Sequence, residues 1–269
     1  MPMISFNNKL IEHANNAKSL LCVGLDINPD NLESNSLSNL IDYSKIVIDY
    51  TRDYALAYKP NFAFFERWGS KGFIWLEEII EYIGEGPILI ADAKRGDIGN
   101  TAKQYAESVF THFGFDCITL NPYLGRDSIE PFLCYDSRGV FILCKTSNGS
   151  GPEFQNQIIS DKRPLYQEVA YWANDMNKNN NIGLVVGATY PDELQTVRDI
   201  VPELPILVPG IGAQGGDLEK CVKISNKSSI GIINVSRSIS FPKDKSKSAI
   251  GSIAESYMLK INRALNERE

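Results

Sequence analysis

The chain has 269 residues, 43% of them hydrophobic, which fits one large α/β domain or two small domains and suffices for a buried core. Its formal net charge of -6 argues against nucleic-acid and anionic-membrane partners, since both attract a basic face. Apolar runs also stay shorter than the roughly 18 residues of a membrane-spanning helix.

Short apolar runs alternate with amphipathic stretches, the order expected of βα units around a parallel sheet. The predicted strands are residues 20–27, 55–62, 87–93, 117–121, 139–145, 182–188, 205–210 and 231–236. The predicted helices include residues 40–54, 72–83, 100–113, 165–177 and 192–201, with a last helix from about 249 to 266. Eight strands fit a closed (β/α)8 TIM barrel better than an open doubly wound sheet, which usually has fewer. We therefore expect one α/β barrel domain over residues 1–269.

Residues 147–163 form the longest polar connection between two predicted elements. This segment is rich in glycine and longer than a typical βα loop. It is either an excursion from the barrel or a lid over its mouth.

Polar residues stand where several predicted strands end, and barrels of this type carry their active sites at those ends. The residues are Asp26, Lys59, Asp92, Lys94, Asn121, Lys145 and Thr146. Because side chains alternate along a strand, Asp92 and Lys94 should point the same way. A lysine held among carboxylates stays protonated and is suited to protonate a neighbouring carbanion. An isolated Asp-x-Lys pair is equally typical of a structural ion pair, but Lys59 and Asp97 near the same mouth favour chemistry.

A glycine-dense turn over residues 209–217 follows the seventh predicted strand and leads into a helix. Barrels often bind phosphate with the loops after strands seven and eight, where backbone amides face the anion. Arg237 follows the eighth strand and is suited to grip phosphate oxygens in a fork. Together the turn and Arg237 predict a phosphate site.

Histidine and cysteine chemistry is not indicated. The two histidines, His13 and His112, lie on helical stretches away from strand ends, and the five cysteines are scattered without metal-ligand spacing. With no P-loop and no strand-coupled Gly-x-Gly-x-x-Gly, we expect no metal and no nucleotide cofactor. The cysteines are expected to be free thiols, and the N-terminus lacks signal-peptide order, so we expect a cytoplasmic protein.

Taken in order, the motifs resemble those of the orotidine 5'-monophosphate decarboxylase family over nearly the whole chain. They are LD at 25–26, KPN at 59–61, DAKRGDIGNT at 92–101, NPY at 121–123, KTSN at 145–148, GAQGG at 212–216 and RS at 237–238. The resemblance implies cofactor-free decarboxylation of orotidine 5'-monophosphate (OMP) to uridine 5'-monophosphate (UMP), the last step of de novo UMP synthesis.

The same resemblance implies a role for each matching residue. Lys94 would protonate C6 of the pyrimidine, and Lys59, Asp92 and Asp97 would complete a charged tetrad. In the family, the residues matching Asp97 and Thr101 reach the active site of the partner subunit, so a homodimer is implied. The implied substrate contacts are Asp26 and Asn61 to the ribose, Thr146 and Ser147 to the pyrimidine edge, and Gln214 and Arg237 to the phosphate.

Two features depart from better-known members: the glycine turn contains no tyrosine, and residues 147–163 are long. A sugar-phosphate lyase of the same barrel type is a competing interpretation, since it uses a similar Asp-x-Lys-x-x-Asp on a magnesium-bound enediolate. A phosphate-binding barrel without catalysis is another. The KPN motif and the phosphate loop favour the pyrimidine substrate.

Overall fold

A computed structural model describes residues 4–33, 36–159, 162–212, 215–244 and 246–267. Eight parallel strands close into a barrel in chain order, which confirms the predicted (β/α)8 architecture. The strands are β1 (Leu21–Leu25), β2 (Ala57–Pro60), β3 (Ile88–Arg95), β4 (Cys117–Leu120), β5 (Gly139–Lys145), β6 (Ile182–Val186), β7 (Ile206–Val208) and β8 (Gly231–Val235). Pairing of β8 with β1 completes the closure, since Cys22 lies beside Asn234.

Helices cover the outside of the barrel, and short ones stand in the loops. They are α1 (Phe6–Ala17), α2 (Leu37–Thr51), α3 (Phe62–Glu66), α4 (Ser70–Ile83), α5 (Gly99–Ala106), α6 (Glu130–Leu133), α7 (Pro152–Gln155), α8 (Leu165–Met176), α9 (Pro191–Ile200), α10 (Leu218–Ser225), α11 (Arg237–Ser240) and α12 (Lys247–Asn266). A π-helix, Glu107–His112, continues α5. In the part of the chain that the structure describes, no helix is both long and apolar enough to cross a membrane.

Helix α1 closes the end of the barrel opposite the strand carboxyl termini. On the face of α1 that packs against the barrel, Phe6 and Leu10 are fully buried. The Phe6 ring meets Phe141 of β5 edge-on, with ring centroids 6.1 Å apart. A Cβ added to Gly139 would lie 2.0 Å from the Phe6 ring, so only glycine leaves room for this plug. Apolar side chains of α1 therefore plug this end, where Asp116 is already neutralised by ion pairs with Lys9 and Arg138.

The structure corrects several predicted element bounds. The strand predicted over 55–62 ends at Pro60, because the Asn61 carboxamide oxygen accepts a hydrogen bond from the Ala63 amide (3.2 Å) and starts α3. The helix predicted over 100–113 is α5 followed by a π-helix. Helices α1 and α10 were not among the elements that the apolar pattern singled out. Residues 147–163, as far as they are described, contain α7.

Candidate active site

The carboxylate of Asp92 lies at the centre of the charged residues at the mouth of the barrel. One oxygen accepts from the Lys59 ammonium at 2.5 Å, and the other accepts from Lys94 at 2.5 Å and from the Thr119 hydroxyl at 3.1 Å. Asp92 is 8% exposed and Lys59 4%, whereas the Lys94 side chain is half exposed. The structure thus brings three of the four predicted tetrad residues together within one chain.

Lys94 reaches Asp92 through an irregular backbone rather than through simple strand alternation. Its φ of 47° lies in the left-handed region, which costs a residue with a Cβ about 1–2 kcal/mol. The register between β3 and β4 shifts between Ala91 and Arg95, and the Lys94 amide donates to the Thr119 hydroxyl (3.0 Å) instead of a ladder carbonyl. The predicted proximity of Asp92 and Lys94 is confirmed, but it arises from an irregular stretch of β3 and not from regular strand alternation. Strain at such a position is typical of functional sites.

Burial and charge fix the ionisation of the two buried residues. Burial alone would raise the pKa of Asp92, but the positive charges of Lys59 and Lys94 outweigh it and hold the pKa well below its usual value. Burial would likewise lower the pKa of Lys59, and the negative charges of Asp92 and Asp26 raise it instead. Asp92 is therefore an anion and Lys59 a cation across the physiological range.

Two neighbouring lobes, both lined by Lys59 and Asp92, open onto this charged cluster. A lobe of about 360 Å³ is lined by Lys59, Asp92 and Lys94 together with Thr146 and Ser147, and we call it the Thr146 lobe. A second lobe of about 220 Å³ shares Lys59 and Asp92, and we call it the Arg237 lobe. Its lining adds Asp26, Gly210, Ile211, Asn234, Ser236 and Arg237. Volumes of this order suit a small polar ligand.

The Arg237 lobe contains polar atoms that have no partner within the described part of the chain. Oδ1 of Asp26 and the hydroxyl of Ser236 are both buried without a hydrogen bond. Buried polar atoms are normally paired, so both are suited to a ligand. The sequence analysis found Asp26 but missed Ser236. The two residues Gly24 and Ser236 meet only in the folded barrel, where a Cβ added to Gly24 would lie 2.6 Å from the Ser236 Cβ, so no local pattern marks Ser236.

The Thr146 lobe is shaped by a glutamine that the sequence analysis did not single out. Gln155 of α7 folds back so that its carbonyl oxygen accepts from the Thr146 amide (3.0 Å), while its amide donates to the Thr146 hydroxyl (2.7 Å). The Thr146 hydroxyl in turn donates to Asn148 (2.6 Å). The long connection is thus fastened to the cavity wall through Gln155. No sequence pattern marks such a return contact across nine positions.

The other predicted contact residues lie at the same end of the barrel. Asn61 follows β2 and forms a parallel bridge with Asp92, although its carboxamide oxygen is already used as the α3 cap. Arg237 begins α11 and is exposed at the cavity wall. Gln214 lies outside the described residues. The turn leading to it passes through Gly212, whose φ is 80° and where a Cβ would lie 2.5 Å from the Ser238 hydroxyl.

Asp97 and Thr101 do not belong to the lining of either lobe. Asp97 lies in the connection between β3 and α5, where its carboxylate accepts from the Ile98 amide (2.8 Å). Thr101 is exposed on α5. Large apolar side chains are exposed on the segments that follow β3, β4 and β5: Ile98 (52%), Tyr123 (73%), Leu124 (49%) and Phe154 (54%). Asp97 and Thr101 thus lie outside both lobes, on the connection and the helix that follow β3.

Alternative centres are less suited to chemistry. Among the described ranges, no three His, Cys, Asp or Glu side chains are grouped to hold a metal ion. His13 contacts the Gly86 carbonyl from α1, and His112 contacts Glu77, both away from the mouth as predicted. A larger concavity of about 660 Å³ lies at the closed end near Lys18 and Ser229. It contains no paired buried charges like those of Asp92.

Comparisons with known proteins identify the family of the chain. The model of the "Orotidine 5'-phosphate decarboxylase / HUMPS family" matches residues 19–250. Orotidine 5'-phosphate decarboxylase of Natronomonas pharaonis is 43% identical over 270 residues, covering 97% of this chain and 99% of that protein. The structure of Leishmania donovani OMP decarboxylase is 39% identical with a TM-score of 0.87, covering 98% of this chain and all of that one. This chain spans only 57% of Leishmania donovani UMP synthase, a structure 41% identical with a TM-score of 0.89.

Proposed function

Because the chain belongs to the orotidine 5'-phosphate decarboxylase / HUMPS family, we propose that it converts OMP to UMP and carbon dioxide without a cofactor. Its relatives are decarboxylases, which makes the chain a carboxy-lyase. The observation that carries the proposal is the Asp92 carboxylate held by both Lys59 and Lys94 at the wall of a cavity. We place the reaction at the end of de novo UMP synthesis in the cytoplasm.

Lys94 is the proton donor in this proposal. When the bond from C6 to the carboxylate breaks, its electron pair remains on C6 in the ring plane, where the ring π system cannot delocalise it. An oriented ammonium beside C6 stabilises this charge and then transfers a proton to it. Lys94 suits this role because it is bonded to Asp92 yet half exposed, so solvent can reprotonate it after each turnover.

Lys59 and Asp92 orient the donor rather than react. Asp92 is ionised and buried, and its oxygens are shared by two ammonium groups and the Thr119 hydroxyl. The fixed arrangement needs no reorganisation as charge develops on C6. In this proposal the Asp92 anion also repels the substrate carboxylate in the ground state and so favours its departure.

The two lobes divide the substrate between them. We assign the pyrimidine edge to Thr146 and Ser147 in the Thr146 lobe. We assign the ribose to Asp26 in the Arg237 lobe and to the carboxamide nitrogen of Asn61, which follows β2 but lines neither lobe. Arg237 and Gln214 complete the assignment at the phosphate. Contacts to the distant phosphate can stabilise the closed state in which the reacting ring is dry.

The active unit in this proposal is a homodimer. Asp97 of the partner subunit would complete the tetrad beside Lys94, and Thr101 of the partner subunit would contact the substrate. The exposed apolar side chains Ile98, Tyr123 and Phe154, on the segments after β3, β4 and β5, support this arrangement, because a second copy that covers them would remove them from water.

Ultraviolet-monitored turnover of OMP, with and without a chelator, tests the proposal. We expect loss of OMP absorbance at the same rate in both samples. A magnesium-dependent sugar-phosphate lyase would give no loss of absorbance and would act on its own substrate only without chelator. A barrel that only binds phosphate would bind UMP without turning over OMP.

A further inference from the structure

Lys145, the last residue of β5, carries a buried charge that the mechanism above does not use. The residue is fully buried, and its ammonium has no hydrogen-bond acceptor within the described chain. Burying an ammonium without an acceptor is strongly unfavourable, because the charge loses its hydration and gains no replacement. A residue this costly in a barrel wall calls for a role other than stability.

The ammonium of Lys145 faces an aromatic ring instead of an acceptor. It lies 4.1 Å from the centroid of the Tyr190 ring, within the range of a cation–π contact. Burial lowers the pKa of Lys145, and the nearby charge of Glu193 in the first turn of α9 opposes that change. The desolvated setting makes the attraction between the ammonium and the ring stronger than at a surface.

Tyr190 belongs to the turn between β6 and α9, and this turn packs against the segment that follows Lys145. The Tyr190 hydroxyl donates to the carbonyl of Asn148 (3.4 Å). The Thr189 hydroxyl donates to the carbonyl of Ser147 (3.2 Å). A Cβ added to Gly187 would lie 2.7 Å from the Ser147 amide nitrogen, so the two backbones are in close contact. The β6–α9 turn therefore supports Ser147 from behind.

We propose that Lys145 is a positioning residue that holds the Tyr190 turn against Ser147 and Asn148, and so fixes the wall of the Thr146 lobe against the pyrimidine. The inference rests on the proposed function, since it takes the base to occupy that lobe. Lys145 acts through the Tyr190 ring and touches no substrate. Its contribution is to recognition of the base and not to the ribose or the phosphate.

This role predicts effects of opposite sign on stability and on binding. Replacing Lys145 by Met keeps an unbranched apolar chain against the ring but removes the buried charge. The melting temperature should rise by about 2–4 °C, because a buried ammonium without an acceptor is replaced by an apolar chain. The affinity for UMP should fall by roughly tenfold, because the turn is no longer held by the ammonium. A residue that served only the fold would give a lower melting temperature.

The experiment compares the dissociation constants of UMP and ribose 5-phosphate by calorimetry, using the full-length protein in its native assembly. Lys145→Met and Tyr190→Leu should each raise the dissociation constant of UMP about tenfold. The dissociation constant of ribose 5-phosphate should stay within twofold of the wild-type value. The double variant should bind UMP no more weakly than either single variant, because each substitution removes the same contact between the Lys145 ammonium and the Tyr190 ring. Tyr190→Phe keeps the ring that Lys145 faces and loses only the long 3.4 Å hydroxyl bond to Asn148, so it should bind UMP within twofold. Lys178→Met, at an exposed lysine, is the matched charge-removal control.

The outcomes separate this inference from the proposed function. Unchanged UMP binding in both Lys145→Met and Tyr190→Leu overturns the role of Lys145. Equal losses for UMP and ribose 5-phosphate overturn it as well, since they indicate general damage to the site. If Lys145→Met does not fold, the comparison of Tyr190→Leu with Tyr190→Phe tests the inference: equal UMP affinity in these two variants overturns it. Wild-type protein that binds UMP but does not turn over OMP would refute the decarboxylase assignment and leave the base-recognition role standing.

Discussion

Because Lys59 and Asp92 form a buried ion pair, breaking the pair should lower the free energy of unfolding far more than breaking an exposed pair would. Asp92→Asn keeps the shape of the side chain but leaves the Lys59 ammonium buried without its hydrogen-bonded counter-charge, with only the more distant charge of Asp26 to favour it. Breaking a buried pair in this way costs about 3–5 kcal/mol of unfolding free energy. We therefore expect the variant to lose at least about 3 kcal/mol in urea unfolding followed by circular dichroism, at one fixed protein concentration.

The chain offers a matched control for that measurement. Lys45 and Glu78 form an ion pair of 2.6 Å, almost as short as the 2.5 Å pair of Lys59 and Asp92. The side chains of the control pair are 30% and 41% exposed, against 5% and 10% for the buried pair. Glu78→Gln should therefore cost under about 1 kcal/mol.

A second variant identifies the stranded ammonium as the cause. Adding Lys59→Met to Asp92→Asn removes the unpaired charge, so most of the lost stability should return. The reasoning is refuted if Asp92→Asn costs no more than Glu78→Gln, or if the double variant is less stable than Asp92→Asn alone. Either result would mean that the lysine is solvated or neutral in the folded chain.

Further predictions concern catalysis and pH. Lys94→Ala should lower kcat for OMP about 1,000-fold or more while retaining part of the UMP affinity, and an active variant would disprove the donor role. Mixing Lys94→Ala with Asp97→Ala chains should restore activity through hybrid dimers with one intact site, and persistent inactivity would count against a shared site. Since the folded pKa of Asp92 is depressed, its contribution to stability is present above the unfolded pKa near 4 and is lost as pH falls below it. Acid titration of unfolding should show this loss in wild type and not in Asp92→Asn. Gly24→Ala should raise KM for OMP, because the new Cβ would lie 2.6 Å from the Ser236 Cβ and displace that side chain. An unchanged KM would argue against Ser236 as a ligand group.

The sequence by itself determined the architecture and most of the site, because both depend on local order along the chain. Eight apolar runs alternating with helices leave few ways to bury every strand, and the closed barrel is the one observed. In such a barrel the strand ends meet at one mouth, so Asp26, Lys59 and Asp92 could be assigned to one site from their positions alone.

Only the tertiary structure decided features that depend on contacts between distant segments. The left-handed backbone of Lys94 depends on Thr119 of the neighbouring strand, and no local pattern predicts it. Gln155 fastens the long connection to Thr146. Lys145 could be placed at a strand end from the sequence, but its enclosure against Tyr190 follows from packing between β5 and the turn after β6. Sequence periodicity reports which face of an element is buried, whereas the partner of a buried charge is set by the fold.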